Sequence, residues 1–152
     1  MAVVSTGNGT AVDVAEIPWM PMQPRDGSAP RSFAKVLHID ERRNLVVLLN
    51  KTVKGTKLPE HVHTCDALTY TLTGAWAYRD LELAAGTFAA EPVGTEHAPE
   101  YAEDTEAIII FVGDSRELLQ TKLPDGRVVS SSIDMFIELR RLQEEAMSAQ
   151  ER

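Results

Sequence analysis

From about residue 33 to residue 130 the chain alternates short apolar runs with glycine and proline breaks. Leu45–Val53 (LVVLLNKTV) is rich in leucine and β-branched residues. Ala67–Thr73 (ALTYTLT) alternates apolar and polar positions and stops at Gly74. Ala75–Arg79 (AWAYR) restarts the pattern with Trp76 and Tyr78 on one face, since alternate residues of a strand share a face. Thr87–Ala90 and Ala107–Val112 (AIIIFV) have the same texture. Pro124-Asp125-Gly126 reads as a turn, because proline presets φ and glycine accepts a positive one. Short strands at this spacing predict an all-β sandwich or barrel.

The two ends differ from this middle. Residues 1–15 are small and polar with no usable periodicity, and read as a flexible tail ahead of one domain over 16–152. Residues 17–30 (IPWMPMQPRDGSAP) carry four prolines, which predicts an extended arm tied down by Trp19 and Met20. Near the C-terminus, Ser131 or Ser132 can cap a helix, with Asp134 in its first turn. Ile133, Phe136, Ile137 and Met147 then recur at helical spacing, which predicts one helix over about 133–146.

Composition narrows the function classes. A formal net charge of -8 and a pI near 5.0 repel phosphate backbones, so no nucleic-acid partner is expected. Cys65 is the single cysteine and cannot form an internal disulfide. No apolar run approaches the roughly 20 residues that a membrane helix needs. The first residues show no basic stretch followed by an apolar one, so no signal peptide is expected. The expected location is cytoplasmic, with no membrane partner.

The candidate chemistry lies in three of the four histidines. His61 and His63 are two apart, so on a strand both imidazoles face one way. His97 follows a Pro92-Val93-Gly94 turn. A jelly-roll barrel can bring this second segment beside the first, where a third imidazole completes a facial triad with open coordination positions.

The two segments resemble the paired motifs of the cupin superfamily. Gly55, His61, His63 and Gly74 match the first motif, and Gly86, Pro92, Gly94 and His97 match the second, with every spacing kept. The resemblance implies a cupin jelly-roll barrel. Two positions depart from it. Where many cupins place a metal-binding glutamate this chain has Ala67, and Tyr101 stands where the second motif ends in asparagine. The implied ligand set is three histidines without a carboxylate, holding one divalent metal ion, Fe(II) in first place and Zn(II) or Ni(II) as alternatives. Cys65 and Asp66 are the remaining donors nearby; Cys65 reads better as a small buried hydrophobe.

IPW (17–19), LTYTLTGAWAY (68–78) and GTFAAEPVGTEH (86–97) are similar to the group that contains dihydroxyacetophenone dioxygenase and acetylacetone-cleaving dioxygenase. Anti-sigma-factor cupin domains share the texture. The resemblance implies a non-haem Fe(II) dioxygenase that cleaves a C–C bond in a small diketone or hydroxyketone chelating through oxygen. It also implies a homodimer and a glutamate, Glu91, in the catalytic role of positioning a ligand or taking a substrate proton. Thr69, Thr71, Trp76, Tyr78 and Tyr101 are candidates for the pocket wall. Two other readings stay open: a zinc or nickel cupin with oxygen-independent chemistry, isomerase or hydrolase, and a non-enzymatic metal- or ligand-sensing module.

Overall fold

The computed structural model describes residues 3–152. Its fifteen strands are β1 (Val3–Thr6), β2 (Gly9–Val12), β3 (Met20–Pro21), β4 (Ser32–Asp40), β5 (Leu45–Thr52), β6 (His61–His63), β7 (Asp66–Thr73), β8 (Ala75–Tyr78), β9 (Leu81–Ala84), β10 (Phe88–Glu91), β11 (Glu96–His97), β12 (Glu100–Tyr101), β13 (Thr105–Val112), β14 (Glu117–Lys122) and β15 (Val128–Ser132). One helix, α1 (Ile133–Gln150), follows. The all-β barrel with a single C-terminal helix therefore stands as the sequence predicted.

Three sheets form the body. The largest runs in the order β10-β7-β13-β5-β4-β3, a second runs β11-β6-β14-β15, and a third runs β12-β8-β9. Consecutive strands often lie in different sheets, which wraps the chain around a shared interior. At the β7–β8 corner Gly74 has φ 82°, and a Cβ there would meet Asp104 O at 2.2 Å. Only glycine fits a left-handed turn with backbone so close.

Two apolar clusters fill the interior. One joins Ala34, Val36, Val46, Leu48, Cys65, Ala67, Phe111 and Leu118 to the helix residues Ile133, Phe136 and Leu139. The other is Trp76, Tyr78, Leu83 and Tyr101. The site described below lies between them.

The arm behaves as predicted. Ile17 is buried, β3 pairs with β4, and the Lys35 and Lys51 ammonium groups lie 4.7 and 4.6 Å from the centre of the Trp19 ring. The predicted tail does not hold as irregular chain. Residues 3–12 form a hairpin with Thr6 opposite Gly9, because the two-residue Gly7-Asn8 turn sets the pairing without any long periodicity. Met1 and Ala2 of that tail lie outside the described residues.

The helix starts as predicted, with Ser132 Oγ accepting from the Asp134 amide at 3.2 Å. It ends later than predicted, at Gln150 instead of about 146, because no glycine or proline interrupts EEAMSAQ. Gln143, a buried polar residue, holds it to the sheet. Its amide accepts from Val36 N at 2.8 Å and donates to Val36 O at 3.0 Å, where the β4 register shifts between Val36 and His38. Backbone groups that β4 leaves free at the bulge are thus satisfied by a side chain from 107 residues away.

Candidate metal centre

β6 and β11 carry the three histidines. His97 pairs directly with His61 across the ladder, and Glu96 with Val62. The turn before β11 is tied to β6 as well: Gly94 N donates to His63 O and His63 N to Thr95 O, both at 2.8 Å. Asp66 Oδ1 accepts from Val93 N at 3.1 Å and anchors the same turn. The motif prolines and glycines thus position His97 by binding its loop to the backbone of His63.

The imidazoles converge. His97 Nε2 lies 2.9 Å from both His61 Nε2 and His63 Nε2. His63 and His97 are buried, at 4% exposure each, and His61 is half-buried. His61 Nδ1 lies 3.0 Å from Pro59 O, a group that can only accept, so His61 carries its proton there and turns a lone pair inward. His97 Nδ1 sits 3.2 Å from Glu91 Oε2. Burial first, and the neighbouring histidines second, push the His63 pKa down to about 4 and that of His97 down to about 3. His61 is lowered by burial too. All three are therefore neutral at pH 7.

Neutral imidazoles crowding their lone pairs together repel one another unless a cation lies among them. The spacing suits one, since adjacent ligands about 2.1 Å from an octahedral ion stand about 3 Å apart. The donor set thus fits a divalent metal ion. Among the described residues, these three form the one group of potential ligand atoms within reach of a common ion.

Glu91 is buried at 3% exposure on β10, opposite Ala67 of β7. The Tyr78 hydroxyl hydrogen-bonds to it, and the Tyr78 ring stands edge-on to His97 with centroids 4.2 Å apart. Burial raises the Glu91 pKa, and the bond from Tyr78 opposes that rise. Burial likewise raises Tyr78. Tyr78 therefore braces both the carboxylate and a ligand ring. On the opposite side Phe111 lies 6.4 Å from His63, centroid to centroid.

The remaining predicted residues separate. Trp76 stacks on Tyr101 at 5.8 Å and 11°, and Trp76 Nε1 donates to Thr71 Oγ1 at 2.9 Å. Tyr101 also hydrogen-bonds Thr52, and burial pushes its pKa up to about 12. Trp76 and Tyr101 belong to the second apolar cluster, and Thr71 is tied to it through the Trp76 indole. Thr69 is buried at 3% and its hydroxyl has no partner. Cys65 is fully buried, with Sγ 3.5 Å from Leu118 O and its pKa pushed up to about 11 by burial, and stands outside the histidine group. Asp66 is exposed and committed to Val93. Glu60 and Glu96 point to solvent, as their strand parity requires, and Glu100 pairs with Lys57 at 3.1 Å. Sequence reasoning missed the Pro59 carbonyl that orients His61 and the link from Tyr78 to Glu91. The first left no side-chain signal, and the second exists only once two separate hairpins meet.

A family model described as the ChrR cupin-like domain matches residues 8–116. No curated protein matches the sequence. An RmlC-like cupin protein from Ralstonia eutropha JMP134 is 26% identical, with a TM-score of 0.76 over 96% of this chain and 89% of its own. An acetylacetone dioxygenase from Acinetobacter johnsonii is 14% identical, with a TM-score of 0.71 over 94% and 92%. The DMSP lyase DddQ from Ruegeria pomeroyi DSS-3 is 19% identical, with a TM-score of 0.57 over 74% and 64%. The last two are likenesses of fold.

Proposed function

Because the chain belongs to the ChrR cupin-like family and holds a three-histidine site in its interior, we propose that it is a non-haem Fe(II) dioxygenase. Its substrate would be a small diketone or hydroxyketone, cleaved at a C–C bond. The observation that carries this reading is the position of the one buried carboxylate among the described residues. Glu91 stands behind His97 and outside the ligand group, so the ligands are three neutral nitrogens. Such a set leaves the full charge of a divalent ion uncompensated and favours an anionic, oxygen-chelating ligand, as an enolate is. When bound, Fe(II) supplies a Lewis-acidic, redox-active centre with open positions beside the imidazoles.

The chain's own residues do the rest. His61, His63 and His97 hold the ion. Glu91 accepts the α-carbon proton that must leave to make the enolate, and Tyr78 fixes the carboxylate for that transfer. Phe111 and Tyr78 close the two sides of the triad and exclude water. The fold shared with acetylacetone dioxygenase supports the same chemistry. Oxygen consumption by the Fe(II)-loaded protein across a panel of β-diketones and hydroxyketones tests the reading. No uptake with any of them, from protein carrying one iron per chain, sinks it.

A second reading has its own support. Three neutral imidazoles also suit zinc acting as a Lewis acid, and the fold is shared with a lyase. Turnover without oxygen in the zinc-loaded protein would favour that reading.

A further inference from the structure

Among the described residues, five buried side-chain polar atoms make no well-aligned hydrogen bond: His63 Nδ1, Thr64 Oγ1, Thr69 Oγ1, and Glu91 Oε2 with His97 Nδ1, which face each other at 3.2 Å. Buried polar groups are almost always paired, so a cluster of unpaired ones needs a cause. Four of them belong to the triad, to its neighbour Thr64, or to Glu91. Thr69 is the remaining one, and nothing local explains it.

Its position is defined by the ladder. Thr69 shares the inward face of β7 with Ala67 and Thr71, one strand repeat, about 7 Å, from each. Ala67 lies opposite Glu91, and Thr69 lies between Ala89 of β10 and Ile109 of β13. Thr71, the next inward hydroxyl, is occupied by the Trp76 indole. Thr69 thus presents a free hydroxyl on the interior wall, one step along from the carboxylate that backs His97. Its walls to either side are a methyl group and an isoleucine, which offer it nothing.

We propose that the Thr69 hydroxyl is a hydrogen-bond donor reserved for a ligand oxygen, the carbonyl or enolate oxygen of a chelating substrate held at the triad. Thr69 is on this account a specificity-determining residue. It favours ligands with an acceptor oxygen on the Glu91 side over purely apolar ones, because filling the site without such an oxygen leaves the hydroxyl buried and unpaired. The inference rests on the chelating-substrate reading above but not on oxygen chemistry.

Valine is nearly isosteric with threonine, so Thr69→Val removes the hydroxyl and little else. The zinc-loaded protein, which does not react with oxygen, is titrated calorimetrically with acetylacetone. Thermal melting of the metal-free protein is measured alongside. The expected result has two parts. Thr69→Val binds one zinc per chain and melts at the same or a higher temperature, because an unsatisfied buried group has gone. Its affinity for acetylacetone falls about tenfold or more, and Thr69→Ser restores most of the loss. A lower melting temperature with unchanged affinity would overturn the proposal, since the hydroxyl would then serve the fold through a bound water. Failure of the wild-type zinc protein to bind acetylacetone would also overturn it. Binding without oxygen uptake by the iron form would leave this inference intact and remove only the dioxygenase reading.

Discussion

Glu91 and Ala67 face each other across adjacent strands, both almost fully buried. Many cupins place a metal-ligating glutamate where this chain has Ala67. Here that position ends at a methyl group, and the neighbouring strand supplies a carboxylate that reaches the back of His97 instead. The carboxylate thus serves the ring and not the ion.

Restoring the missing ligand tests this exchange. Ala67→Glu sets two buried carboxylates against each other. The metal-free protein should lose roughly 2–4 kcal/mol at neutral pH, by denaturant titration. Adding Glu91→Gln should recover much of that loss, because the two positions are in contact and their effects do not add.

Substituting alanine for His61, His63 or His97 should reduce the metal content from about one ion per chain to near none after purification and dialysis. Elemental analysis reads this directly. The fold should survive, since the two apolar clusters are built from other side chains and keep their own contacts.

Glu91→Gln keeps an oxygen near His97 Nδ1 but cannot take a proton. Metal content should stay the same while kcat falls roughly 10²–10⁴-fold, the range for loss of a general base. Tyr78→Phe should show a smaller loss of kcat in the same assay, because it frees the carboxylate without removing it.

Acid should destabilise the metal-free protein through the histidines. His63 and His97 are held far below their unfolded value of 6.5, so the unfolded chain binds more protons from pH 6.5 down to about 4. Stability should fall with pH across that window by roughly 1.4 kcal/mol per unit for each histidine. Glu91, raised by burial, works in the opposite direction above its ordinary value of 4.5. Denaturation midpoints at pH 7 and pH 5 in the presence of chelator measure the slope, which should be shallower in His63→Ala.

Gln143→Ala removes two buried hydrogen bonds and leaves both Val36 backbone groups unpaired. A loss of roughly 2–4 kcal/mol is expected by denaturant titration, with metal content unchanged.

What the sequence revealed depended on how local each signal was. The triad was legible because strand parity fixes His61 with His63 and the Pro92–Gly94 turn fixes the approach of His97. The start of α1 was legible from the Ser132 cap, but its end was not, because no residue there opposes helix. The β1–β2 hairpin escaped notice because four-residue strands carry almost no periodicity and their pairing rests on a two-residue turn. Gln143 was invisible for another reason: its partners are backbone groups at a bulge, and backbone leaves no trace in composition. The contact of Tyr78 with Glu91 likewise depends on register between hairpins, which alternation alone does not set.

The hydrogen bonds by which Gly94 N donates to His63 O and His63 N donates to Thr95 O have a consequence for how the centre is filled. They run from backbone to backbone and use no ligand nitrogen, so the fold itself sets His63 beside the turn that carries His97. Uptake and release then need no refolding, unlike small zinc modules that collapse only around their metal. A rigid all-nitrogen socket ranks divalent ions by their intrinsic affinity for nitrogen, not by shape. Loading the protein with one divalent ion in place of another is therefore expected to change the chemistry the site supports while leaving the architecture untouched.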